Sequence, residues 1–428
     1  MPSLKRELTD FFHSEFREYA LYTVHNRAIP TLLDGFKPVH KKIMWTAARK
    51  AKSPIKTVAL AGYVIAEADY KHGDASAIDS IVKMAASWRN HISLLKGHGN
   101  FGWRMVPEAG APRYTKVELS PDFSFWFSDF NALTFTPGDD GKQYEPDCYY
   151  SNIPWFMVNG FRGIATGYSS FCHPRDPQKL SKFVVDVLSG KKPDDSALDI
   201  CYPSYDGKIE GDYSVGCFKY LTKKKIEIQS LPIDYTVDTY GSKLAKLVDK
   251  GAIRDFHKTV AKNQPPFIVE LKDDLVNTES TLGLRHKLTS ETLVFILGKK
   301  LLVFEDIWDA MGKFMDERLR VAAAGIKASR VDKEDLVSRI STKISFVREL
   351  RDRGLNNLTR KDLTTIIERL NRLDMSETLL NISASRMTEE HIAEWEGQIS
   401  NLREDIDILG QVSPQHWWTY NILNKPLS

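Results

Sequence analysis

The chain has only four cysteines, Cys148, Cys172, Cys201 and Cys217, widely spaced and without a Cys-x-x-Cys pair. Neither a zinc ribbon nor a disulfide framework fits that spacing, and a reducing, cytoplasmic setting is expected. Long apolar runs are missing as well. The most apolar stretch, Leu293 to Phe304, is interrupted by Gly298, Lys299 and Lys300 and is too short to span a bilayer. The mixed, charged N-terminus lacks the pattern of a signal peptide, so no membrane association is expected. There is no Gly-x-x-x-x-Gly-Lys-Ser/Thr loop, which excludes the usual phosphate cradle for ATP. The only Asp-x-Asp, Asp405-Ile406-Asp407, lies inside a heptad-like helix and reads as a solvated face, so no metal ligands are expected. Charge of one sign is nearly absent in bulk, with 59 Lys and Arg against 56 Asp and Glu. Its distribution is uneven. Residues 1–56 hold eleven basic and five acidic side chains, a possible phosphate-facing surface, although charge runs more often mark a solvated helical face.

A length of 428 residues calls for two to four sub-domains. Residues 3–20 read as an amphipathic helix with Leu4, Leu8, Phe11, Phe12 and Tyr19 on one side. A basic turn, Asp34-Gly35-Phe36-Lys37-Pro38-Val39-His40-Lys41-Lys42, leads into a second helix through Trp45. Residues 57–69 and 76–88 read as a helix pair joined by Lys71-His72-Gly73-Asp74, with Ser76 and Asp79 as a capping box. Two short helices about a Gly turn suggest a helix-turn-helix, a pattern also shared by helix pairs in proteins that bind no DNA. Residues 101–135 are strand-like, and residues 136–270 read as a second α/β domain with alternating runs such as Lys225-Ile226-Glu227-Ile228-Gln229. Beyond Leu301 the pattern is helical. Val337, Ile340, Ile344 and Val347 form one heptad-like stripe, and Trp395, Ile399, Leu402, Ile406 and Leu409 another. Between them lies a compact stretch around Leu363, Ile366, Ile367, Leu370 and Leu373. Two antiparallel arms carrying a helical knob, covered by a second copy, are the economical picture; a bundle within one monomer is the alternative.

Six short motifs occur in order: Arg27-Ala28-Ile29-Pro30, the basic turn, His72-Gly73-Asp74, Gly97-His98-Gly99-Asn100-Phe101-Gly102, Pro112-Arg113-Tyr114, and Asn159-Gly160-Phe161-Arg162-Gly163-Ile164-Ala165-Thr166-Gly167. Together they resemble the breakage-reunion subunits of type II DNA topoisomerases (gyrase A and topoisomerase IV A), and most of all the medium subunits of T4-like phage topoisomerases. The resemblance implies an α+β multidomain fold. It places an N-terminal helical arm at 1–20, a winged-helix DNA-cleavage domain at 21–130 and an α/β tower domain at 131–300. Residues 301–428 become a long antiparallel coiled coil with a helical dimerisation gate. It also implies a homodimer acting on double-stranded DNA in replication, in the cytoplasm of a bacterium or a phage-infected one. Mg2+ and ATP would be bound by one or more separate subunits carrying the Toprim and ATPase parts. Because the chain stops at Ser428, DNA relaxation and decatenation are expected rather than active supercoiling.

Reversible DNA cleavage requires a covalent intermediate, and a tyrosine is both a competent nucleophile and a tolerable leaving group. A free phenol titrates near about 10, so neighbouring positive charge must help it. Tyr114 opens an alternating run in which Thr115, Val117 and Leu119 face inward while Tyr114, Lys116 and Glu118 face solvent or DNA. By resemblance Tyr114 is the nucleophile and Arg113 stabilises the scissile phosphate. Arg27, Lys42 and His72 stand around that same phosphate. Lys37, His40 and Lys41 contact the DNA backbone, and Ile164 is a wedge that bends the duplex, or alternatively a buried loop anchor. Departures from the family pattern include His98, Trp103 and Ala75, and Lys41 and Lys42 in place of arginines. The competing readings are a non-catalytic dimeric winged-helix protein and a relaxase, although no His-x-His pair supports the latter.

Overall fold

The computed structural model describes residues 8–138, 140–262, 264–272, 278–354, 359–370, 373–383 and 386–424. The chain forms two compact units, Leu319–Tyr420 and the remainder.

The first unit opens with a helical run from Leu8 to Ala28 in which π turns occupy Phe12–Phe16 and Val24–Ala28. From Leu8 on the chain is helical and runs past residue 20, where the expected helix ends, and Leu8, Phe11, Phe12, Phe16 and Tyr19 stay exposed; residues 3–7 of the expected helix, Leu4 among them, lie outside the described residues. The end of the run is anchored, because Val24 and Ile29 pack on Val294 and Ile296. Next comes the basic turn. Asp34 accepts the Phe36 N–H at 2.8 Å and the Tyr149 N–H at 3.0 Å. Gly35 has φ +62°, and a Cβ there would lie 2.7 Å from the Phe156 nitrogen, so only glycine fits. Helix α1, Pro38–Lys50, then starts with proline at its first position. It runs five residues past Trp45.

Strand β1 (Ile55–Lys56), helix α2 (Thr57–Glu67) and helix α3 (Asp74–Ala85) follow. α3 begins at Asp74 behind an extended Gly73, so Ser76 and Asp79 lie inside the helix and form no capping box. Asp79 instead bridges to Lys83 one turn on, at 2.6 Å. Strands β2 (Leu95–His98) and β3 (Lys116–Leu119) complete an antiparallel sheet of order β1-β3-β2, with Val117 opposite both Ile55 and Gly97. A hairpin of β4 (Phe161–Ala165) and β5 (Tyr168–Cys172) closes at Thr166-Gly167, and β5 is tied to Thr292. Further on, β6 (Cys217–Thr222), β7 (Lys225–Ser230), β8 (Ile253–Lys258) and β9 (Phe267–Leu271) form a sheet of order β8-β9-β7-β6. The alternation in β7 buries Ile226 and Ile228 against Tyr240, Leu244 and Phe267. The apolar stretch at 293–304 is a hairpin, Leu293–Leu297 with Lys300–Phe304, so the helical third begins at Ile307 rather than just after Leu301.

In the second unit, Leu319–Arg353 is the continuation of one helix that starts at Ile307, and Glu389–Gln411 is its partner. Lys333 meets Asp405 at 2.5 Å and Arg348 meets Glu396 at 2.6 Å, while Arg351 meets Glu389, so the two helices run antiparallel. The two heptad-like stripes meet, with Ile340, Ile344 and Val347 packed on Ile392, Trp395, Ile399 and Leu402. At the Arg353 end, Ile366 and Ile367 bury themselves with Phe346, Leu350, Met375 and Leu379. The side chain of Leu373 lies outside what is described.

Candidate nucleic-acid interface

A cavity of about 1140 Å³ opens in the first unit among segments far apart in sequence. The helical run contributes Tyr22 and Arg27, the basic turn and α1 contribute Lys37, His40 and Lys42, and the α2–α3 connection contributes His72. Lys83, Arg89 and, from β4, Arg162 and Ile164 complete the basic wall. Close backbone approach draws these parts together. A Cβ on Gly163 would lie 2.3 Å from the Ala28 carbonyl oxygen, so β4 touches the chain beside Arg27 only because residue 163 is glycine. Gly163 is buried, whereas Arg162 and Ile164 point outward from the same face of the strand. Ile164 is 77% exposed. It sits on a hairpin strand rather than a loop, and the buried-anchor alternative fails.

His72 has its Nε2 3.3 Å from the Tyr22 hydroxyl and its ring edge against Tyr70. Partial burial, and then Arg27, hold its pKa below the usual histidine value. Lys42 reaches the cavity but is already committed, donating to Glu145 at 2.8 Å and to the Ala68 carbonyl at 2.6 Å. His40 accepts the Lys37 N–H on Nδ1 at 3.4 Å. Burial, followed by Lys37, Arg89 and Lys83, pushes it down to about 3. Its imidazole is therefore uncharged at neutral pH and has Nε2 left to donate, so the backbone contact expected of it would be a neutral hydrogen bond. Lys41 is a clear correction. It is buried, and its ammonium donates to the Asp147 carbonyl at 2.6 Å while compensating buried Asp34. Adjacent helix positions are about 100° apart, so when Lys42 faces the cavity Lys41 must face the core.

Arg113 and Tyr114 stand elsewhere. They belong to the turn that precedes β3, not to the strand itself, although the in–out alternation holds: Tyr114 is 75% exposed while Thr115 and Val117 are buried. The Arg113 guanidinium lies 4.9 Å from the Tyr114 ring centroid. The turn is pinned to the start of α2: the Val58 N–H donates to the Pro112 carbonyl at 3.3 Å, and the Thr57 and Thr115 hydroxyls lie 2.8 Å apart. Neither Arg113 nor Tyr114 lines the cavity. Next to them α2 exposes Val58, Gly62, Tyr63, Ile65 and Ala66, an apolar face left uncovered by the described residues. Hence Arg27, Lys37, Lys42, His72 and Ile164 are gathered on one cavity, and Arg113 with Tyr114 forms a second, separate group.

Sequence reasoning missed Tyr22, Lys83, Arg89, Arg162 and Glu145. The i, i+2 relation of Arg162 to Ile164 was the one signal available. Among the described residues no group of three or more His, Cys, Asp or Glu side chains could hold a metal ion. Two of the cavity's carboxylates, Asp79 and Glu145, are tied to Lys83 and Lys42. These residues do not fit a divalent metal site.

The family model for the A-subunits of DNA gyrase and topoisomerase IV matches residues 27–428. The chain belongs to that family. Among family relatives, the DNA topoisomerase medium subunit of Enterobacteria phage T4 is 28% identical over 390 residues, 86% of each chain. The DNA topoisomerase 2 of Acanthamoeba polyphaga mimivirus is 32% identical over 268 residues, 59% of this chain and 21% of that one. Against the mitochondrial DNA topoisomerase 2 of Dictyostelium discoideum the identity is 25% over 97% of this chain, which spans about a third of that protein. The DNA-binding, cleavage and re-ligation domain of Plasmodium falciparum topoisomerase II superposes with a TM-score of 0.86. That match covers 96% of this chain and 63% of the other at 22% identity, and it shows the shared mixed helix and sheet fold. Family and relatives are those of a type II topoisomerase cleavage–religation subunit, and they favour it over a DNA-binding protein without catalysis.

Proposed function

We propose that the chain cleaves and reseals double-stranded DNA with Tyr114 as nucleophile, and that each active site takes Tyr114 from one copy and the basic cavity from a second. One observation carries this reading. Tyr114 is exposed beside Arg113, outside the cavity that gathers the other basic residues, and next to the uncovered apolar face of α2. A second copy seated on that face would bury apolar surface and bring each Tyr114 to its partner's cavity.

In the cleavage step the Tyr114 phenol oxygen attacks phosphorus. A P–O bond to tyrosine forms, the P–O3′ bond breaks, and the phenolic proton ends on the departing 3′ oxygen. One phosphodiester replaces another, so religation is the same step in reverse and needs no outside energy. Arg113 and the partner copy's Arg27 and Lys42 would neutralise charge building on the phosphate, and neutral His72 would donate a hydrogen bond. Lys37 and His40 would contact the flanking backbone, and Ile164 would wedge between base pairs.

On this reading residues 21–130 are a winged-helix domain, in keeping with α1 to α3 and the three-stranded sheet, and 131–300 are a tower. Residues 301–428 form the coiled coil with a dimer gate, and 1–20 an arm. Mg2+ and ATP would be bound by one or more separate subunits, and the products would be relaxed or decatenated DNA in the cytoplasm of a bacterium or a phage-infected cell. The test mixes the chain with its Toprim- and ATPase-bearing partner, DNA and Mg2+, and quenches with detergent. Wild type should yield a 5′-phosphotyrosyl adduct and Tyr114→Phe none. An adduct undiminished in Tyr114→Phe, or none from wild type, defeats the proposal.

A further inference from the structure

Arg89 sits in the cavity wall with its guanidinium making no hydrogen bond or ion pair to the described residues. Asp79, of opposite sign, and Arg162, of the same sign, act on it electrostatically, as does the Tyr202 side chain. Lys37 faces Lys83 and Arg89, and all three press on His40. The carboxylates that line the cavity are committed elsewhere, Asp79 to Lys83 at 2.6 Å, Glu145 to Lys42 at 2.8 Å and Asp69 to Lys71 at 3.4 Å. The arginines that are buried in this unit are treated differently: Arg175 is paired with Glu291 and Arg318 with Asp129. Lys83, Arg89 and Arg162 stay exposed to solvent, and like charges gathered on one cavity wall repel one another unless an anion joins them; the described residues around this cavity supply more basic than acidic side chains.

Arg162 gives the cluster a direction. Its guanidinium rests on the Phe171 ring, 4.8 Å from the centroid, and reaches Thr289 Oγ1 at 3.4 Å. Ring stacking of this kind holds the planar group without using up its charge. Two residues on, the same strand face presents Ile164, about 6.6 Å further along. An anion held by Arg162 and Arg89 therefore lies beside the side chain proposed to enter the base stack.

We propose that Arg89 and Arg162, supported by Lys83, hold one DNA backbone phosphate distinct from the scissile one, anchoring the duplex where Ile164 bends it. This rests on reading the cavity as a DNA surface. A phosphodiester suits the site because a planar guanidinium offers paired donors to its oxygens and because duplex DNA brings phosphates next to any inserted wedge.

The test measures binding of the full-length chain to a short duplex by fluorescence anisotropy over a salt series. Each phosphate contact contributes about 0.9 to the slope of log K against log salt. The Arg89→Gln, Arg162→Gln double variant should lose about 0.9 of slope and bind roughly tenfold more weakly near physiological salt. Arg89→Lys should keep the slope. The melting temperature of Arg89→Gln should not fall, because an unpaired cation is being removed; a clear fall would mark Arg89 as structural and overturn the proposal. An unchanged slope in the double variant overturns it too, even if Tyr114 adducts still form, and then the cleavage reading stands. An acidic peptide competing for the site without any loss of DNA slope would likewise point to a protein partner. Absence of DNA binding by wild type would instead remove the DNA reading itself.

Discussion

Arg318 and Arg89 belong to the same unit and are treated in opposite ways. Arg318 is fully buried, and its donors reach Asp129 at 2.6 Å, Ser128 at 2.7 Å, Asn152 at 3.1 Å and the Ser151 carbonyl at 2.9 Å. Asp129 accepts a left-handed backbone, φ 55°, to be there. Arg89 borders a cavity among like charges and has no such shell among the described residues. An arginine's charge is therefore no guide to function by itself. A buried charge matched by a carboxylate holds the fold, and an exposed one left among like charges awaits a ligand.

The largest expected effect tests the closed side. Arg318→Met leaves buried Asp129 without its compensating cation and should cost about 3–5 kcal/mol in urea unfolding, whereas Arg89→Met should cost nothing or stabilise. Equal losses at both positions would erase the contrast. Next is the acid limb of the stability curve. His40 stays neutral in the fold down to about pH 3, but in the unfolded chain it takes up a proton below about 6.5. The unfolded state then binds more protons, so stability present at pH 7 is lost as pH falls from about 6.5 toward 3. The slope is up to about 1.4 kcal/mol per pH unit, or roughly 2 kcal/mol between pH 7 and 5. His40→Asn keeps an acceptor for the Lys37 N–H and should flatten that limb; an unchanged pH slope would show that His40 is already charged in the fold. The smallest effect concerns Glu145, which ties up Lys42. Glu145→Gln should free the lysine and tighten DNA binding about threefold to tenfold, equivalent to about 1 kcal/mol. Weaker binding would mean that the pair positions Lys42 for DNA rather than competing with it.

Periodicity was the legible part of the sequence. The alternation that buries Ile226 and Ile228, and the stripes that bring Ile344, Ile392 and Ile399 into one core, follow directly from side-chain direction in strands and helices. The exposure of Tyr114 was readable for the same reason. Other features were not. Lys41 and Lys42 are chemically alike and adjacent, and only the phase of α1 against Asp34 and Asp147 decides which one is buried. Ser76 and Asp79 have the spacing of a capping box, but the same spacing occurs within helices, and Gly73 starts this one. Arg89 follows the end of α3 without any periodic signal, and its setting depends on Lys37 and Arg162, each more than fifty positions away. That Tyr114 and the cavity stand apart could be seen only once the chain was folded.

That separation is the central claim, and complementation between two defective copies tests it most directly. Protomers carrying Tyr114→Phe are mixed with protomers carrying His72→Ala, allowed to exchange, and given the partner protein, DNA and Mg2+. If each site joins one copy's tyrosine to the other's cavity, the mixed dimer keeps one intact site and should form a single-strand phosphotyrosyl adduct that neither variant forms alone. If tyrosine and cavity act within one copy, the mixture would stay as inactive as its components while wild type cleaves, and the account would be wrong.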